Sequence, residues 1–214
     1  MSAADEFKLW GRVSSINVRK VMWTVQYLNL PIQRIDAGAA FGVVGTPEFQ
    51  KMNPNAMIPV LQDGDFTLWE SNVIVRYLCE KYSLGHLYPQ ERQQRFDAER
   101  WMDWQQSELN RASGLPFVQW FRTAPEQHNL ALIEEYTRKM NHWLSIIESH
   151  LAKKPYMAGS ALTMADIPIL CEVHRWWAVR AASGDALAYP AIERWYAPLL
   201  AHPASNGVLD IAVA

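Results

Sequence analysis

Ser14, Ser15 and Asn17 put two hydroxyls and a carboxamide into the run SSINVRK. That run stands between a short apolar segment, Phe7 to Trp10, and a helical pattern made by Val18, Val21, Met22, Val25 and Leu28. Where a strand turns into a helix, the first backbone N–H groups are unpaired and carry the positive end of the helix dipole, so the turn can hold an anion. A hydroxyl fixed there can donate to a thiolate and lower its pKa by stabilising the charged form. Ser15 is placed for that task and Asn17 can share it. Helix capping is the commoner use of such serines, and Arg19 and Lys20 also read as solvated charges. Local spacing leaves both readings open.

Two further runs have the same double character. In NAMIPVL, Pro59 opens a strand. If the Ile58–Pro59 bond is cis, the N–H and C=O of Ile58 face outward as a free edge for a peptide-like ligand, although a proline at the start of a strand is otherwise ordinary. In WESNV, Glu70 and Ser71 end a strand and open a helix. There the helix start can bind a carboxylate while the Glu70 carboxylate accepts from an ammonium group; capping beside a solvated acid is the plainer alternative. A ligand carrying both an ammonium and a carboxylate would fit the pair. SALTMADIPI reads differently: Thr163 and Asp166 make a capping box, Leu162 and Ile167 a hydrophobic staple, and the role is structural.

Other chemistries find no pattern. The six histidines form no HExxH, and no GxSxG, GxxxxGK or GxGxxG occurs, so no metal site or nucleotide cofactor is expected. Cys79 and Cys171 are far apart and read as buried small hydrophobes. With 20 basic and 22 acidic residues, the net charge of -2 offers no broad attraction for nucleic acid or an anionic membrane. The start MSAADEFK has acids where a secretory leader has positive charge. No apolar run reaches the roughly 18–20 residues that span a bilayer. A cytoplasmic, reducing setting is expected.

The elements that must position these residues can be read from periodicity. FKLW is a strand, the next pattern a helix, and PIQRID a second strand. TPEFQKM is a short helix with Pro47 in its first turn; two strands flank Asp63-Gly64, a strong hairpin signal, and SNVIVRYLCEKY resumes helical spacing. The order is βαβαββα within residues 1–83. SLGHLYPQER breaks the pattern, and strands then disappear. Residues 90–214 read as all-helical, with helices over Phe96 to Leu109, Ile133 to Leu151, Met164 to Ala181 and Ile192 to Leu200, and with breaks at Pro116, Pro125, Pro155 and Pro190.

Taken in order, SSINVRKV, NPNAMIPVL, WESNVIVRYL and LTMADI make the chain resemble the cytosolic glutathione transferases over nearly its whole length, close to the serine-using theta-like bacterial members. The resemblance implies a thioredoxin-like first domain (1–83), an all-helical second domain (90–214), a homodimer, and a role in detoxification. It implies that Ser15, with Ser14 a close rival, stabilises the glutathione thiolate with help from Asn17. Ile58, before a cis Pro59, would pair with the cysteinyl backbone. Glu70 and Ser71 would hold the γ-glutamyl end, Lys51 beside Gln50 the glycyl carboxylate, and Asp103 the γ-glutamyl amine across a dimer.

Glutathione is then a co-substrate, no cofactor is required, and the reaction is conjugation to a hydrophobic electrophile. Apolar walls for that electrophile are expected from Trp101, Trp104, Trp120, Phe121, Trp176 and Trp177 of the helical part, with Arg111 and Arg122 as cationic helpers for a thiolate or an anionic substrate. Glutathione-dependent disulfide reduction, or a non-catalytic glutathione-binding carrier or scaffold, are the competing readings.

Overall fold

Phe7 and Leu9 of β1 (Phe7–Trp10) are buried and alternate with half-buried Lys8 and Trp10. This two-residue alternation sorts side chains onto the two faces of a sheet. The computed structural model describes residues 7–213. In it β1 pairs parallel with β2 (Ile32–Ile35) and antiparallel with β3 (Val60–Asp63), which pairs antiparallel with β4 (Phe66–Trp69), giving the order β2-β1-β3-β4. Phe7, Leu9 and Leu61 pack against Val18, Val21 and Val25 of α1 (Ile16–Tyr27) and Ile74 and Leu78 of α3 (Ser71–Tyr82). Val60 joins Ala37 and Phe49 of α2 (Pro47–Met52), with Trp10 against them. The order is the expected thioredoxin-like βαβαββα.

The hairpin turns one residue later than Asp63-Gly64. Asp63 pairs with Phe66, and the two loop residues are Gly64, at φ 58°, and Asp65. Asp63 stays in the strand because its carboxylate accepts from the Tyr77 hydroxyl and the Lys81 ammonium of α3.

The rest is helical: α4 (Arg92–Trp104), a π turn (Gln105–Leu109), α5 (Asn110–Arg122), α6 (Leu130–Leu151), α7 (Asp166–Ser183) and α8 (Pro190–Leu200). The break expected at Pro116 does not occur. α5 runs through it with Ala112, Ser113, Pro116 and Phe117 buried as it packs on α6 and α7, and tertiary burial outweighs the poor local propensity of Gly114 and Pro116. At the start of α7, Asp166 accepts from the backbone N–H of Thr163 at 2.9 Å, the return half of a capping box, while the Thr163 hydroxyl accepts from the Ala165 N–H at 3.3 Å; Leu162 and Ile167 both join the main core.

Arg19 and Lys20 are not solvated charges. They are 2% and 0% exposed. Lys20 Nζ donates to Gln105 Oε1 at 3.1 Å and Gln106 Oε1 at 3.3 Å, and Gln105 Nε2 donates to Glu172 Oε2 at 2.8 Å. The π turn thus carries the amide that joins α1 to α7. Burial pulls the Lys20 pKa from 10.5 down to about 8, while Glu172 opposes the shift. Between those values the unfolded chain holds a proton that the folded chain has released, so this group adds stability as pH rises through the window. The stability difference between wild type and Lys20→Met should therefore move in favour of wild type from pH 8 to pH 10, on the order of 1–3 kcal/mol. Parallel urea-denaturation profiles for the two proteins would contradict it.

Candidate active site

The strand register brings three of the singled-out runs to one end of the sheet. Trp10 lies opposite Val60, and Val60 lies opposite Trp69. The turn after β1, the Ile58–Pro59 pair before β3 and the Glu70–Ser71 pair after β4 are therefore neighbours. The Ile58–Pro59 bond is cis. Ile58 is seated against two glycines: a Cβ on Gly38 would lie 3.1 Å from Ile58 Cδ1, and one on Gly11 3.3 Å from Ile58 Cβ, at φ values of 83° and 150°. Asn53, buried and not singled out in the sequence, supports the approach to Ile58 by donating to the Met57 carbonyl at 2.8 Å and accepting from the Asn55 N–H at 3.0 Å. Its NPN context is a turn signal that reasoning from the sequence passed over.

Two helix starts, those of α1 and α3, converge on this end, and neither has an acidic residue in its first turn. Positive dipole ends thus face the crevice, with the Glu70 carboxylate before α3 the acidic group beside them. Ser15 occupies the position before α1, yet its side chain makes no capping bond; its carbonyl accepts from the Arg19 N–H at 2.9 Å. The hydroxyl is left for other work. Ser14 Oγ, by contrast, accepts from Arg12 Nη1 at 3.4 Å. Asn17 Oδ1 accepts from the buried Ser71 hydroxyl at 3.3 Å, which ties the first turn to the second. Glu70, exposed and with no side-chain capping bond, is held at φ 71°. Such a conformation is costly for a residue with a Cβ and clusters at functional positions.

Beside Ser15 opens a cavity of about 410 Å³ between α1, α5 and α7, with the tail residue Val213 on its wall. Ser14, Ser15 and Ile16 form one side. Arg111, Leu115, Phe117, Val118 and Arg122 of α5 form another, and Cys171, His174 and Arg175 of α7 a third. Arg12 and Arg19 complete it. Burial pushes the Cys171 thiol up to about 12 and the His174 imidazole down to about 4, where nearby Arg19 also lowers it; both groups are neutral near pH 7. Of the expected cationic helpers, Arg111 and Arg122 are both here. Arg12, Arg19, His174 and Arg175 were not anticipated, because Arg12 and Arg19 look like surface charges locally and α7 approaches only through tertiary packing.

The expected aromatic walls lie elsewhere. Trp101 and Trp176 are core. Trp104 stands edge-on to Trp101 and Trp143 and lines a separate apolar hollow with Arg100 and Ile146. Trp120 packs on His128, and Trp177 lies against Tyr189 and Tyr196 with the Arg180 guanidinium 4.8 Å above its ring. Phe121 stacks on Phe117 and touches the cavity wall only through it. Lys51 is exposed in the last turn of α2. Asp103, on α4, pairs with Arg76 of the same chain.

Residues 5–80 match the glutathione S-transferase N-terminal domain and residues 115–203 the glutathione S-transferase C-terminal domain. Glutathione S-transferase GstB of Escherichia coli is 35% identical over 214 residues, covering 96% of this chain and 99% of that one. The theta class glutathione S-transferase of Xanthomonas axonopodis pv. citri with glutathione bound superposes with a TM-score of 0.92 at 33% identity, over 98% of this chain and all of that one. Its apo form gives 0.83 at 30% identity, over 97% and 98% of the two chains.

Proposed function

The chain belongs to the glutathione S-transferase family, and from that premise we propose that the crevice at the sheet end binds glutathione, keeps its sulfur ionised and presents it to an electrophile in the adjoining cavity. The observation that carries this reading is the convergence of an uncommitted Ser15 hydroxyl, the cis Ile58–Pro59 edge and the Glu70–Ser71 helix start at one place. Ile58 offers its backbone to the cysteinyl unit. Glu70 accepts from the γ-glutamyl ammonium, and the backbone N–H groups at the N-terminus of α3, that of Ser71 included, take the carboxylate beside it. Lys51, at the end of α2, reaches toward the glycyl carboxylate. The Ser15 hydroxyl donates to the sulfur, and Asn17 holds that turn against Ser71.

A free thiol ionises at a pKa of roughly 8.5, and each unit of depression corresponds to about 1.4 kcal/mol of thiolate stabilisation. One charge-assisted hydrogen bond with a helix N-terminus supplies a shift of that size. The thiolate then attacks carbon, a C–S bond forms, and the leaving group departs with its electron pair. The protein acts as a cytoplasmic homodimer in this reading. No helix among the described residues is long and apolar enough to cross a membrane, and the Asp103 carboxylate, exposed on α4 beside its Arg76 partner, can still accept from a ligand held by a neighbouring subunit.

Titration calorimetry should detect glutathione binding, and the purified protein should conjugate a chloronitroarene faster than it reduces hydroxyethyl disulfide. Absence of glutathione binding would overturn the reading. Faster disulfide turnover would replace conjugation with reduction, and binding with neither turnover would leave a carrier.

A further inference from the structure

Arg12, Arg19, Arg111, Arg122 and Arg175 all line the cavity beside Ser15, and none of its lining residues is Asp or Glu. A quarter of the chain's 20 basic residues is thus gathered around one opening in a protein whose net charge is -2. Two of these cations are buried with unused donors. Arg19, 2% exposed, donates through Nε to the Val13 carbonyl at 3.0 Å and through Nη2 to the Ile211 and Ala212 carbonyls at 3.3 and 2.6 Å, while Nη1 has no partner. Arg175, 8% exposed, is ion-paired through Nη2 with Glu172 at 2.6 Å and also donates from it to Ser113 Oγ at 2.6 Å and Asn110 Oδ1 at 3.0 Å, while its Nε has no partner.

Buried charge left partly unpaired is unfavourable, and like charges nearby make it more so. Burial first, then the guanidiniums of Arg12 and Arg175, lowers the pKa of Arg122. An anion in the cavity would offset the positive charge that these five arginines gather around it. Leu115, Phe117 and Val118 add an apolar wall, so the fitting ligand has a hydrocarbon body and a negative end. Ile58, Glu70 and Ser71 do not line this cavity, so the arginines belong to the electrophile's side of the site and not to glutathione's backbone and γ-glutamyl end.

We propose that the arginine-lined cavity selects electrophiles that are organic anions, binding a carboxylate or sulfonate remote from the carbon that the thiolate attacks. The inference rests on the glutathione transferase reading, and the test separates the two. Chloronitrobenzoate and chloronitrobenzamide differ in charge but react alike: the sulfur bonds to the ring carbon, the C–Cl bond breaks, and chloride leaves with the electron pair. Each kcat/KM is divided by the uncatalysed rate constant, and the affinities of the two finished glutathione conjugates are measured by calorimetry, which needs no turnover.

The carboxylate member should be favoured about tenfold or more in both measurements, with the preference shrinking as salt rises. Arg111→Gln and Arg122→Gln, both at exposed positions, should each reduce it about threefold or more while glutathione affinity stays within about twofold. Equal rates and equal affinities for the two members would overturn the proposal, as would a preference that both variants retain. If glutathione does not bind but nitrobenzoate alone still binds in competition with salt, the transferase reading fails and the anion site stands.

Discussion

Ser15→Ala is expected to lower kcat/KM for conjugation about tenfold or more near neutral pH, and to raise the pKa of bound glutathione's thiol by about one unit or more. The magnitude follows from losing one hydrogen bond to a charged sulfur, which is worth about 1.5–3 kcal/mol. Stability should change little. An N-cap serine replaced by alanine ordinarily costs about 1 kcal/mol through its lost side-chain bond, but Ser15 makes no such bond. The two halves of the prediction therefore separate chemistry from capping. Ultraviolet titration of the thiolate in the complex reads the first, and chemical denaturation reads the second. Ser14→Ala is the matched control, since its oxygen already accepts from Arg12. If Ser14→Ala shifts the thiolate titration and Ser15→Ala does not, the sulfur's partner is Ser14. If neither shifts it, the hydroxyl mechanism is lost.

The three runs that meet at the crevice were legible because short strands leave little freedom. Once FKLW, PVLQD and FTLW are read as neighbouring strands, the turn after the first and the residues flanking the others must lie at one end. Periodicity reaches that far. It fails where the deciding partner is distant in sequence. Asp63 stays in β3 because of Tyr77 and Lys81, fourteen and eighteen residues on. Lys20 is buried because Gln105 stands 85 residues away, and nothing in SSINVRK announces that amide. The helix through Gly114 and Pro116 reads as a break until α6 and α7 are laid on either side.

The tryptophans illustrate the same limit from the other direction. Trp104, Trp120 and Trp177 are the right residue type for an apolar pocket, but each ring has an aromatic neighbour of its own away from the cavity beside Ser15. Residue type indicates that such a ring seeks apolar company. Only the packing of α4 to α8 decides which company. For Arg111 and Arg122 the sequence named the residues, while the arginines around them on α1 and α7 were supplied by tertiary structure.

The largest stability effect is expected at Asp166, which is fully buried and touches nothing in the crevice. Its Oδ1 accepts from the Met157 N–H and from Trp195 Nε1, both at 2.9 Å, and its Oδ2 from the Thr163 N–H at 2.9 Å and the Thr163 hydroxyl at 3.3 Å. One carboxyl thus fastens the approach to α7, the helix itself and α8. Asp166→Ala strands these donors away from water and should cost about 3–5 kcal/mol, while kcat/KM per folded molecule is unchanged at low temperature. A loss below about 1 kcal/mol would contradict it.

Asp166→Asn adds a pH test. Burial pulls the Asp166 pKa from 3.8 up to about 6 against the hydrogen bonds that hold it down. Between those values the folded chain keeps a proton that the unfolded chain has released, so this group's contribution to stability declines as pH rises from about 4 to about 6 and is flat above. Carboxylates held below their usual range, such as Asp63, are present in both proteins and cancel from the difference. The wild-type advantage over Asp166→Asn should therefore be larger at pH 4 than at pH 7, and an advantage that instead grows with pH would mean the four donors, not burial, set the charge of this carboxyl.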